Sequence, residues 1–388
     1  MTPGWCCGDV LHPPRSALRS PPPQGGDASG PAKPDPRRPL GKNERTAPLQ
    51  RSEGVWRTAW RRFKNDRVGL GAAVVVLCFL LLIAAAALKL VASGWQADLA
   101  VPNAPPTVLE PRAGEDAGTL PGLESKLLAP VDLSDIDPLA PRYKEWAERA
   151  SKMQTTETVK AGTLPLGADR LGRDVLAKAI KGTEISVFVG VLAALLATII
   201  GTGLGALAGF FGGKVGDFLE WLYNVFTAIP DILLIFAFAA VLGRGVGTVV
   251  LILGLTGWTG LYRQVRAEFI KHSGREYVRA AEAIGASTTS RMFRHILPNV
   301  SHVILVRMSL LVVGFIKAEV ILSYLGLGVP IDQVSWGTML AEAQSELILG
   351  HWWQLATATA FMAVFVTAFS LMADALRDAL DPKLRGAD

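Results

Sequence analysis

The chain has little of what soluble catalysts and secreted scaffolds are built from. Its 388 residues hold three cysteines, Cys6, Cys7 and Cys78. None falls in a segment read as outside the membrane, which excludes an outer disulfide framework. The Cys6-Cys7 pair lacks zinc spacing and has only His12 nearby. The five histidines (His12, His272, His295, His302 and His351) form no H-E-x-x-H pair. There is also no G-x-S-x-G elbow and no pair of intramembrane aspartates, so nothing supports a membrane-embedded hydrolase. No G-x-x-x-x-G-K-[ST] loop is present, so the chain cannot cradle ATP phosphates itself. Asp132, Asp135 and Asp137 lack the glycine and final glutamate of a calcium loop and read as solvated acids. No apolar stretch follows Met1 within the first 30 residues, so the start does not read as a cleaved signal.

What the chain does have is length without charge. Half of it is hydrophobic, with several apolar runs of about 20 residues, the length an α-helix needs to cross the hydrocarbon layer. The expected fold is an all-α integral membrane protein, a bundle rather than a barrel. Six transmembrane helices are expected at about 68–92, 185–209, 218–242, 246–265, 302–326 and 354–375. Within the second, Gly201, Gly203, Gly205 and Gly209 have no preceding strand, so they read as close-packing positions of a membrane helix and not as a nucleotide loop. Residues 1–50, with 11 Pro and 6 Gly, bury too little to order themselves, and 1–54 is read as a disordered tail. An interfacial helix with alternating Trp, Phe and cations opens 55–92. An extracytoplasmic loop and outer helix occupy 93–184, a five-span core 185–376, and a tail 377–388.

Basic residues orient the bundle. Residues 51–67 carry six Lys/Arg, 263–299 carry seven, the tail after Asp374 carries three, and 327–353 carry none. Both termini and the 263–299 loop are therefore expected to face the cytoplasm. The 93–184 segment is too long for the rule to bind, and its 14 acids outnumber its 11 bases.

A charged helix wedged between two spans needs a soluble partner. In 274–284, Tyr277, Ala280, Ala281 and Ile284 share one small face. Gly285 suits a left-handed helix stop, and Ser287, Thr288 or Thr289 can cap the next helix. Pro298 is expected to end the following turn. The product is a short, rigid helix-turn-helix, too poor in large apolar residues to lie in lipid. Inside the spans, Asp231 follows a kink-forming Pro230, while Lys317 and Glu319 lie in the outer half of the fifth span. Arg307 lies nearer that span's cytoplasmic end, where it can snorkel. Such charges must face the bundle, a cavity or each other. Asp231, Lys317 and Glu319 are the translocation-path candidates.

Five segments in order resemble the C-type permease of dipeptide/oligopeptide/nickel ABC importers, over about 55–386 apart from most of 96–160. They are Leu164-Pro-Leu-Gly-Ala-Asp169-Arg-Leu-Gly172-Arg173-Asp174; Glu276-Tyr-Val-Arg-Ala-Ala-Glu-Ala-Ile-Gly285 through His295-Ile-Leu-Pro-Asn299; Glu319-Val-Ile-Leu-Ser323-Tyr-Leu-Gly326-Leu-Gly328; Ser335-Trp336-Gly337; and Ala373-Asp374-Ala-Leu-Arg377-Asp378 to Pro382. Arg279 stands where the family's coupling (EAA) loop usually has Glu. The resemblance implies an importer permease of the bacterial plasma (inner) membrane, working by alternating access. It also implies two separate ATPase subunits, a second homologous permease and an extracytoplasmic binding protein. ATP and Mg would sit on the partners, with no cofactor on this chain and no nucleic acid. Glu276, Tyr277, Arg279, Ala280, Ala281, Glu282, Gly285, Arg294, His295, Leu297 and Pro298 would then couple to the ATPases. Asp169, Gly172, Arg173 and Asp174 would form an outer gate segment. The rival reading is an ion-driven secondary transporter acting without ATPase subunits.

Overall fold

The computed structural model describes residues 55–108, 139, 142–152, 160–330 and 332–380. The tail 1–54 with Cys6, Cys7 and His12, the acids Asp132, Asp135 and Asp137, and residues 381–388 lie outside them. The helices, in order, are α1 (Val55–Asn65), α2 (Arg67–Ala87), α3 (Tyr143–Lys152), α4 (Val175–Phe211), α5 (Gly213–Thr227), α6 (Asp231–Leu242), α7 (Val246–Thr256), α8 (Thr259–Ser273), α9 (Glu276–Ala283), α10 (Thr288–Ser290), α11 (Leu297–Tyr324), α12 (Trp336–Ile348) and α13 (Trp353–Leu380). A π-helical turn, Arg291–Ile296, joins α10 to α11. Among the described residues there is no strand, only isolated bridges.

Among the described residues three helices, α2, α4 and α13, are long and apolar enough to cross a membrane, and counting each bent pair as one span raises this to five. The expected third span is not continuous. It breaks into α5 and α6 with an 84° bend, because Pro230 at the start of α6 has no N–H to carry the helix through. Asp231 therefore lies in the first turn of a new helix, at the break of the bent pair. The expected fourth span bends by 41° between α7 and α8. The expected fifth lies in α11, which is not among the helices that qualify on length and composition. It is 28 residues long, about 42 Å at 1.5 Å per residue, and it packs at the centre of the bundle.

α4 is the spine. Its 37 residues span about 55 Å, beginning ten residues before the apolar run did. It buries Val187, Val189, Ala193, Ala194 and Ala197 in one core with Ile252 and Leu253 of α7, Ile316 and Val320 of α11, Trp336 of α12 and Phe365 of α13. Its glycines face α8 every fourth residue. A Cβ on Gly201 would stand 2.7 Å from the Trp258 carbonyl oxygen, on Gly205 2.7 Å from that of Tyr262, and on Gly209 2.6 Å from that of Arg266. Gly203 faces open space. Small residues four apart thus bring two backbones into contact, which is the main source of helix attraction where lipid offers no hydrophobic gain.

α2 lies against α13, with Phe79 edge-on to Phe365 at 5.3 Å. Asp66 caps α2 by accepting from the Val68 N–H at 3.0 Å. α1 lays Ala59 and Phe63 on Ala375, Ala379 and Leu380 of α13 and leaves Trp60 exposed beneath Lys64.

Replacing Gly205 by valine is expected to force α4 and α8 apart and cost about 1–3 kcal/mol, the usual penalty of overpacking. Gly203→Val, on the same helix, is expected to be nearly neutral. Thermal unfolding of the two variants in detergent separates them.

Candidate coupling site and outer gate

α9 carries the first half of the candidate coupling site. It ends at Gly285, whose φ of +89° is a conformation L side chains rarely adopt. Ser287 then caps the next turn, accepting from the Ser290 N–H at 3.3 Å. Pro298 does not end this turn: it is the second residue of α11, and the π-helical turn Arg291–Ile296 just before it is where the hydrogen-bond ladder adjusts to the missing N–H. The chain runs without interruption from the coupling turn into a central helix.

The expected shared face of α9 is split. Ala281 and Val278 are both buried, and Val278 joins a core with Ala206, Leu261, Val265, Phe269, Met292 and Ile296. Tyr277, Ala280 and Ile284 stay outside, with Ile284 86% exposed. Arg291 bonds Glu282 across the turn at 2.6 Å and lies over the Phe210 ring of α4. The Tyr277 hydroxyl meets His272 Nδ1 at 2.8 Å. Glu276, Arg279 and Arg294 are exposed, and His295 and Leu297 are half-buried. The result is a seated helix-turn-helix with a small, uncharged outer patch between charged flanks.

The outer segment is a charge cluster folded onto the head of α4. Asp169 is fully buried. It accepts from the backbone N–H of Leu171 and of Arg173, each at 2.9 Å, and from Arg173 Nε and Lys178 Nζ, each at 2.7 Å. The buried Lys178 also donates to Glu342 of α12. Gln354 of α13 reaches Glu342 at 3.1 Å, and Glu346 accepts from the Arg170 N–H at 3.0 Å. Asp174 caps α4 through the Leu176 N–H. Gly172 is required by close approach: a Cβ would lie 2.1 Å from the Ala100 carbonyl oxygen. Burial alone would raise the Asp169 carboxyl. The Lys178 charge and hydrogen bond, with those of Arg173, outweigh burial and hold it below its ordinary 3.8. Glu346 is pushed up by burial.

All four outer residues singled out in the sequence meet here, but their partners Lys178, Glu342, Glu346 and Gln354 were missed. A lysine one turn past the Asp174 cap, and two glutamates four apart on a helix between spans, were the available signals.

The three pathway candidates do not come together. Glu319 is buried; one oxygen takes the Ser323 hydroxyl at 2.7 Å, and the other has no hydrogen-bond partner. The Ser323 oxygen in turn accepts from the Val329 N–H at 3.1 Å. Gly328 and Gly337 make room for this turn, since a Cβ on either would meet backbone of α11 at 2.6 Å. Lys317, two residues away, is exposed, as is Asp231.

An all-α bundle with two bent spans, a seated coupling turn and an outer charge cluster defines a membrane permease. The family model of the binding-protein-dependent transport system inner membrane component matches residues 201–386. The chain is 39% identical to the dipeptide transport system permease protein DppC of Bacillus subtilis (strain 168), over 56% of this chain and 68% of that one. It is 39% identical to the oligopeptide transport system permease protein OppC of the same organism, over 56% and 72%. It is 29% identical to the DppC of Lactococcus lactis subsp. cremoris (strain MG1363), over 84% and 90%. The chain belongs to the family of binding-protein-dependent transport inner-membrane components that includes these permease subunits.

Asp169→Asn leaves Lys178 short of a buried counter-charge and is expected to lower stability by about 3 kcal/mol. Because the folded carboxyl titrates below the unfolded one, its contribution is complete above pH 3.8 and is lost as pH falls through the lower folded value. Melting curves at pH 7 and across the acid range, compared with the Asn variant, check both.

Proposed function

We propose that this chain is one of two permease subunits of an ATP-driven importer of di- and oligopeptides. The observation that carries the reading is the coupling turn. A helix-turn-helix that follows α8 after a two-residue break and runs on into α11 presents Tyr277, Ala280 and Ile284 outward, where a soluble ATPase can grip them. A rigid lever transmits displacement that a floppy loop would absorb. The peptide substrate is supported by the names of the DppC and OppC relatives. Selectivity would rest largely in a separate extracytoplasmic binding protein.

In this mechanism two partner ATPases bind ATP and Mg and close. Their motion shifts α9 and, through α8 and α11, the bundle. The path then opens outward to accept substrate from the binding protein; hydrolysis and release reset it. The chain contributes no ATP chemistry and holds no cofactor. The exposed apolar face of α5–α6, with Phe218, Trp221, Val225 and Ile232, is where a sister permease would pack. The 164–184 segment, locked by Asp169 and Lys178, would pack near the outer gate or dock the binding protein. Both termini and the coupling turn would face the cytoplasm of a bacterial inner membrane. The break at Pro230 is a feature shared with secondary transporters, but that reading gives the exposed coupling face no task.

Ile284→Asp changes a side chain that touches little, so the fold is expected to survive. Loss of co-purifying ATPase subunits and a fall in labelled dipeptide uptake of about tenfold or more, the scale of an interface hot spot, are the expected results. Gly285→Leu, strained by about 1–2 kcal/mol at positive φ, is expected to act in the same direction. A chain that purifies without ATPases and transports unchanged in both variants overturns the proposal.

A further inference from the structure

A cavity of about 340 Å³ opens between α8, α11 and the end of α13, lined on its polar side by Gln264, His302, Arg307 and Arg377 and on its apolar side by Val306 and Leu380 among others. Arg307 is half-buried, and its Nε is buried without a hydrogen-bond partner. Its guanidinium lies against Gly260 of α8, where a Cβ would stand 2.6 Å from Nη2. Arg377 is exposed at the cavity mouth. Among the described residues, no carboxylate comes within ion-pairing distance of either guanidinium. Two permanent cations and an imidazole thus line one cavity whose lining holds no carboxylate, and for the half-buried Arg307 on α11 such a position is costly without an anion.

The depth of the cavity follows from α1. This helix sets Ala59 and Phe63 on Ala375, Ala379 and Leu380, with Val306 packed against the same cluster. Two cavity-lining residues therefore also seat α1. Trp60, exposed beside Lys64, marks α1 as lying at the level of lipid headgroups. The cavity also lies between α8 and α11, the two helices that run into the coupling turn. Basic pockets between membrane helices at headgroup depth suit anionic lipids.

We propose that this cavity binds the phosphate of an anionic phospholipid from the leaflet on the coupling-turn side. Arg307 and Arg377 take the phosphate oxygens, Gln264 and His302 supply further polar contact, and Val306 and Leu380 border the first methylenes of the acyl chains. A head group with its own ammonium adds repulsion from two guanidiniums, so a net negative one is preferred. Bound there, the lipid bridges α8, α11 and α13 beside the coupling turn.

The test uses the full chain with the subunits that co-purify, delipidated in mild detergent. It is titrated with phosphatidylglycerol, phosphatidylcholine or inorganic phosphate, with bound molecules counted by native mass spectrometry. Phosphatidylglycerol is expected to bind more tightly than phosphatidylcholine. Arg307→Gln and Arg377→Gln are each expected to weaken it about fivefold, the scale of one basic residue near a charged membrane surface. Phosphatidylcholine binding should not change. Arg377 is exposed, so its variant carries the test if Arg307→Gln melts early. Unchanged phosphatidylglycerol binding in Arg377→Gln, or equal binding of the two lipids, overturns the proposal. Inorganic phosphate binding as tightly as phosphatidylglycerol also overturns it and gives the site to a soluble anion.

Discussion

The close approach of α4 to α8 organises the molecule. In lipid, apolar side chains gain nothing by leaving their solvent for one another, so helices hold together by contact between surfaces that fit. Gly201, Gly205 and Gly209 remove the side chains that would keep two backbones apart, and the carbonyls of Trp258, Tyr262 and Arg266 fill the space. Because α8 leads directly into the coupling turn, a shift of that turn must move α8, and α8 cannot slide freely along α4. The same helix carries Phe210 beneath Arg291 at one end and Lys178 beside Asp169 at the other. One 37-residue rod therefore touches both the candidate drive site and the candidate outer gate.

The two ends of that rod are held by different physics. At the outer end, the cost of burying Asp169 and Lys178 is offset by their mutual attraction and by backbone donors, and removing either partner exposes that cost in full. This gives a well-defined geometry in which α4, α12 and α13 meet through Lys178, Glu342 and Gln354. At the coupling end, the seat is apolar: Val278, Met292 and Ile296 are packed without charge. The Glu282–Arg291 pair spans the turn nearer the surface. An apolar seat permits small sliding displacements that a buried ionic cluster resists.

Much of the fold was legible in the sequence. Apolar runs located the helices of the bundle, because hydrogen-bonding demands in lipid leave few alternatives, though of six expected spans three are single helices long and apolar enough to cross and two are bent pairs. The glycine stop at Gly285 and a cap among Ser287, Thr288 and Thr289 followed from local backbone chemistry, as did packing roles for three of the four α4 glycines singled out in the sequence. Other features were misread for equally local reasons. Pro298 was expected to end a turn, yet proline is equally at home in the first turn of a helix. Pro230 was expected to kink one span, but it separates two helices, and the angle depends on what packs on either side. The inward turn of Ala281 beside an outward Ala280 follows from how α9 rests on α8 and the π-helical turn, which periodicity alone does not specify.

The sequence by itself determined the class of the protein, its spans of apolar helix, the existence of a rigid charged turn between two of them and the family to which it belongs. Each of these depends on residues close together along the chain. The tertiary structure alone decided which charges meet. Asp169 finds Glu342 through Lys178, Glu319 finds a serine hydroxyl and not Lys317, and Arg307 comes to share a cavity with Arg377. Asp169 and Glu342, like Arg307 and Arg377, lie tens to hundreds of positions apart, and only the packing of the helices brings them together; Glu319 and Ser323 are one turn apart on α11, and packing decides that this pair is buried while Lys317 is not.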